Sequence, residues 1–88
     1  MPMSKTNLIA ANWKMNDVPE GALTPDSPYQ THANVDVVVF PTFLDIASCV
    51  DAQIVTGAQY GCSEEKGAHT GDICMEQLAK AGCHYVLC

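Results

Sequence analysis

Three consecutive valines, Val37, Val38 and Val39, sit inside the run VDVVVF that Pro41 closes. β-Branched side chains lose little on entering a pleated strand, and a proline removes the donor needed to continue it. The run does not alternate between apolar and polar, so both of its faces need cover. That is the habit of parallel strands packed between helices. Three further short apolar runs flank it: Asn7 to Trp13, Ile54 to Ala58, and His84 to Leu87. With 88 residues the chain holds one domain.

Helical periodicity lies between these runs. Phe43, Ile46, Ala47 and Val50 are spaced to share one helix face, with Thr42 and Asp45 placed as an approximate capping box. A second helix is predicted from about Asp72 to Ala81. Met75, Leu78 and Ala79 lie on its inner face, Lys80 in its last turn, and Gly82 at the left-handed position that ends it. The segment Asp17 to Asn34 carries Pro19, Pro25 and Pro28. A continuous helix is not expected there, but at most a turn or two within an irregular connection. The order predicts an α/β chain with right-handed crossovers between parallel strands. Four short strands leave open edges, which predicts the front of a larger fold.

Charge narrows the function. The chain has four Lys/Arg, all of them lysine, against ten Asp/Glu, for a net charge of −6. Nucleic acid and anionic membrane surfaces both require clustered cations, so neither is an expected partner. No apolar run reaches membrane-spanning length. The first residues lack the apolar core of a secretory signal, and a cytoplasmic location is expected. Five cysteines, at 49, 62, 74, 83 and 88, show no CxxC pair and are read as reduced thiols. A zinc set of Cys62, His69 and Cys74 is the minor alternative. No metal or cofactor is expected.

The stretch AANWKMN, residues 10–16, places the amide of Asn12 and the ammonium of Lys14 two residues apart at the end of a strand. If strand geometry persists to Lys14, both point the same way. Carboxyl ends of parallel strands collect ligands, and a lysine there offers a cation for phosphate or a developing oxyanion. The competing reading is a solvated lysine and an asparagine making local backbone bonds.

This stretch resembles the N-terminal signature of the triosephosphate isomerase family. VDVVVFPTFLDI is similar to that family's second strand and the helix start after it. IVTGAQYGCSEEKGAHTGDI resembles its third strand and long third loop. LAKAGCHYVLC resembles the approach to its fourth strand. The four stretches are collinear and hold 50 of the 88 residues. The resemblance implies a (β/α)8 barrel of which this chain is about the first three and a half βα units, residues 1–88 being the N-terminal part of one barrel domain. It implies cofactor-free interconversion of dihydroxyacetone phosphate and glyceraldehyde 3-phosphate in glycolysis. In the family a glutamate moves the proton, a neutral histidine polarises the carbonyl, and a loop closes over the site.

By resemblance, Lys14 is the electrophilic, phosphate-facing catalytic lysine. Asn12 is the substrate-contacting amide that also positions it. The third loop implies a homodimer: Thr70 reaches the neighbouring subunit's site, Gln59, Gly71 and Asp72 shape or anchor that contact, and Met15 packs at the interface. Tyr60 stands where the family usually has Asn, and His69 where it has an aromatic ring. Cys74-Met75 replaces a Ser-Pro helix start, which shifts capping to Asp72. Cys88 falls immediately before the family's GHSERR segment, so the histidine and glutamate are missing and the chain alone is expected to be inactive. The alternative is a non-catalytic α/β module or assembly partner derived from the isomerase.

Overall fold

The structure is a computed structural model that describes residues 7–31, 35–61 and 73–87. Four strands form one sheet in the order β1-β2-β3-β4: β1 Asn7–Asn12, β2 Val35–Phe40, β3 Val55–Ala58 and β4 Tyr85–Val86. Every pairing is parallel. Asn7 lies opposite Val35 and Asn12 opposite Phe40, so β1 and β2 end level with one another. Neighbouring strands in chain order, all parallel, make the pattern of an arc of a (β/α) barrel.

The valine run behaves as its composition dictates. Val37, Val38, Val39 and Phe40 are all buried, and Pro41 ends the strand. Cover on both faces does not extend to β1, where Leu8 is 55% and Ile9 51% exposed. β1 is the sheet edge, and its apolar character anticipates neighbours that these residues do not supply.

A 3-10 turn at Phe43–Asp45 leads into α1, Ile46–Asp51. The expected capping box does not form. Thr42 Oγ1 instead lies 3.4 Å from Asp45 Oδ2, and the turn is closed by Asp45 N–H donating to the Thr42 carbonyl. The buried residues of α1 are Ile46 and Cys49, while Ala47 is exposed. The 3-10 start rotates the face relative to one continuous helix, because it has fewer residues per turn. The second helix, α2, runs Met75–Lys80, shorter than predicted. Its N-cap is Cys74, whose backbone N–H donates to Gln77 Oε1 at 3.1 Å. The predicted cap, Asp72, lies outside the described residues.

Both helices end in the same two-bond closure. Cys83 N–H donates to the Leu78 carbonyl and Gly82 N–H to that of Ala79, with Gly82 at φ 103° as its sequence position predicts. In α1 the equivalent position is Gln53, at φ 64°. Its N–H donates to the Val50 carbonyl, and Ile54 N–H to that of Cys49.

Residues 13–31 contain neither helix nor strand. Turns closed at Pro19, Thr24 and Ser27 replace a helix, as the prolines require. The segment is nonetheless anchored. Ala22 and Ser27 are each 2% exposed, and Gln30 Nε2 donates to the carbonyls of Thr24 and Ala52. Ala22 joins Trp13, Val39, Cys49 and Ile54 in one core cluster, while Ile46, Ala58 and Leu78 form a second.

Candidate active site

The site is built at the carboxyl ends of β1, β2 and β3. Strand geometry stops at Asn12 and does not persist to Lys14, so the simple two-residue alternation does not align the two side chains. Trp13 still donates its N–H to the Phe40 carbonyl at 3.1 Å, which extends the tie between β1 and β2 by one residue. The chain then turns. Lys14 adopts φ 54°, a left-handed conformation that costs a lysine roughly 1–2 kcal/mol.

Local hydrogen bonds hold that turn. Asn12 Oδ1 accepts the Lys14 backbone N–H at 2.8 Å. Asn16 follows by donating its side-chain amide to the Trp13 carbonyl at 2.9 Å. Asn12 thus does what the competing sequence reading gave it, a local backbone bond, and through that bond it fixes the lysine's backbone. Asn12 is an exposed residue, and its Nδ2 group has no partner among the described residues. Lys14 is exposed as well, and its ammonium makes no ion pair among the described residues.

Gln59 follows β3 directly and was not expected to act within its own strand ends. Its Nε2 donates to the Lys14 carbonyl and to the Phe40 carbonyl, each at 2.8 Å. Sequence spacing gives no sign of this contact, which joins residues 45 apart. Met15, expected at a subunit interface, is 92% exposed in the single chain. Thr70, Gly71 and Asp72 lie outside the described residues, as do His32 and His69.

Beneath the site, Trp13 is buried and its indole Nε1 has no hydrogen-bond partner among the described residues. The thiols are core groups. Cys49, Cys74 and Cys83 are free, and Cys49 is fully buried. Burial first, and the Asp45 charge second, push the Cys49 thiol up to about 11. Burial also pushes up the Cys83 thiol. Among the described residues no three His, Cys, Asp or Glu side chains are grouped to hold a metal. Cys62 and His69 of the alternative zinc set lie outside them. No helix among the described residues is long and apolar enough to cross a membrane.

A parallel sheet in barrel order, with an amide and an ammonium at its carboxyl end, defines a partial (β/α) barrel. The family model for triosephosphate isomerase matches residues 7–88. The triosephosphate isomerase of Moorella thermoacetica is 40% identical over 87 residues, covering 91% of this chain and 35% of that protein. That of Natranaerobius thermophilus is 38% identical over 92 residues, covering 97% and 36%. That of Clostridium botulinum (strain Langeland) is 37% identical over 90 residues, covering 94% and 36%. The chain therefore belongs to the triosephosphate isomerase family and corresponds to its N-terminal portion. It spans little more than a third of the length of these relatives.

Proposed function

We propose that these residues form the first part of one barrel domain in a triosephosphate isomerase, and that they bring Asn12 and Lys14 to its active site. The reaction is the interconversion of dihydroxyacetone phosphate and glyceraldehyde 3-phosphate. A proton moves between adjacent carbons through an enediolate, and no cofactor takes part. The observation that carries the reading is the fixed turn at the end of β1. There Asn12 Oδ1 holds the Lys14 N–H at 2.8 Å, and an exposed ammonium follows at the carboxyl end of a parallel sheet.

The chemistry asked of these two residues is electrostatic. The Lys14 ammonium offsets the negative charge of the phosphate and of the oxyanion that develops as the carbon-bound proton leaves. Asn12 Nδ2 remains available as a neutral donor to a substrate oxygen, because its Oδ1 is already used. The glutamate that moves the proton and the histidine that polarises the carbonyl belong to the family's later segments. The chain by itself is accordingly inactive in this reading. The protein acts in the cytoplasm as a homodimer, with Thr70, Gly71 and Asp72 presented to the neighbouring subunit. The 92% exposure of Met15 supports an interface beside the site.

The test is a chimera that joins these 88 residues to the remaining two thirds of the Moorella thermoacetica relative. Triose phosphate isomerisation is expected from the folded chimera and loss of it from Lys14→Met. A folded, dimeric chimera without turnover would overturn the reading.

A second reading, a non-catalytic assembly module, is favoured by the exposed apolar side chains Leu8, Ile9 and Leu44. It requires a cooperative melt and a defined oligomer from the 88-residue chain alone. A non-cooperative melt excludes it.

A further inference from the structure

We propose that the groove between the proline-broken connection and the end of α1 binds a small organic cation, an ammonium or guanidinium group on a short aliphatic stem. The groove has a volume of about 360 Å³ and is lined by Leu23, Pro25, Gln30, Asp51, Ala52 and Gln53. Pockets for small ligands span about 300–1,000 Å³, so a ligand of few atoms fits. Gln30 lies shortly before β2, and Gln53 lies two residues before β3. The groove therefore opens at the amino ends of the strands, away from Lys14.

Its polar groups are acceptors without donors. Asp51 is exposed, and its carboxylate has no ion pair among the described residues. Gln30 spends its Nε2 group on the carbonyls of Thr24 and Ala52, at 3.3 and 3.2 Å, which leaves Oε1 as the end free to accept. The side chain of Gln53 makes no hydrogen bond among the described residues. No lysine or histidine lines the groove. A phosphate is thereby excluded, and the Lys14 end and this groove call for ligands of opposite charge. One carboxylate with two amide oxygens falls short of the six or more oxygens that a calcium ion takes. An ammonium has three donors and a guanidinium five, which suits this set.

The walls supply the rest. Leu23 and Ala52 pack against the core cluster of Trp13, Val39, Cys49 and Ile54, so the floor is fixed. Pro25 adds a ring of restricted geometry. An aliphatic stem would lie along Leu23 and Pro25 with its charged head at Asp51. Gln53 holds its place at φ 64°, where α2 uses Gly82 for the same closure. Glycine would avoid the left-handed penalty, and a side chain that lines the groove stands there instead.

The test uses the chimera described above and the probe n-butylammonium, followed by NMR. Shifts are expected at the Ala52 and Gln53 backbone amides and at the Gln30 and Gln53 side-chain amides, with a dissociation constant of about 1 mM. Neutral 1-pentanol and anionic butyrate should leave these signals unchanged. Asp51→Asn should weaken binding by about tenfold. Gln53→Gly should weaken binding while raising the denaturation midpoint. Asp51 and Gln53 are both exposed, so neither variant disturbs the core. Shifts spread over the surface carboxylates, an equal response to ammonium chloride, or binding indifferent to Asp51→Asn would overturn the proposal. The readout needs no turnover, so an inactive chimera would count against the isomerase reading alone.

Discussion

The ring of Tyr29 meets that of Trp13 edge to face, with centroids 5.1 Å apart and planes at 87°. The contact ties the proline-broken connection to the first residue beyond β1, and through it to the strand end that carries Lys14. Edge-to-face pairs contribute about 0.5–1.5 kcal/mol beyond the area they bury. Tyr29→Leu keeps an apolar side chain and loses the aromatic pairing. It is expected to lower stability by about 1 kcal/mol in denaturant unfolding, with a change in tryptophan emission in the folded state. An unaltered midpoint and spectrum would mean that the connection is held by Ala22 and Gln30 alone.

Lys14 combines the ammonium proposed to bind the anion with an unfavourable backbone, so stability and binding should move in opposite directions when it is replaced. Lys14→Gly removes the left-handed penalty and is expected to stabilise the fold by about 0.5–1 kcal/mol, while phosphate affinity falls. The same substitution should shrink the stability lost with Gln59→Met, because glycine does not need to be held at φ 54°. A double-mutant cycle measures this directly. Additive effects would mean that Gln59 stabilises the strand ends without acting on the Lys14 backbone.

Gly57 has no room for a side chain. A Cβ placed there meets Phe40 Cε2, and it lies 2.9 Å from the Tyr85 carbonyl oxygen. The Tyr85 atom belongs to the backbone of the neighbouring strand and cannot rotate aside. Gly57→Ala is therefore expected to destabilise by about 1–3 kcal/mol, the usual range for overpacking. It should also raise amide exchange at Tyr85 and Val86, since β4 is the strand that would be displaced. Gly21, whose Cβ would meet nothing within 4 Å, is the surface control, although its φ of 79° adds its own strain.

Much of the fold was legible because its signals are local. The β2 boundaries, Val35 to Phe40, follow from three valines and a proline, and the left-handed end of α2 at Gly82 follows from the residue type. The missing helix between β1 and β2 follows from its prolines. What escaped depends on contacts far apart in sequence or on residues in conformations they seldom adopt. Nothing in the letters of Lys14 or Gln53 announces a positive φ. Gln59 matched a loop position by resemblance, yet its hydrogen bonds reach back to the ends of β1 and β2. The 3-10 start of α1 turned the expected face because one turn of tighter helix cannot be read from apolar spacing. The pair Asn12 and Lys14 was found from its position after a strand, while the bond between them was visible only in the folded turn.

Cys49 links the core to pH. Its thiol is fully buried in the cluster with Trp13, Val39 and Ile54. Its pKa is raised from 9.0 to about 11, first by burial and then by the Asp45 charge. A raised folded-state value means that the native protein holds the proton more tightly than the unfolded chain. The resulting stability is fully present below pH 9 and is lost as pH rises through about 11. The informative quantity is the difference between the unsubstituted chain and a variant without the thiol. Cys49→Ala should be less stable than the unsubstituted chain at neutral pH, because it leaves part of the buried site empty. Its stability should then fall less steeply between pH 9 and 11. Urea midpoints measured at intervals across that range give both slopes. Parallel slopes would mean that the Cys49 thiol ionises no less readily in the folded chain than in the unfolded one.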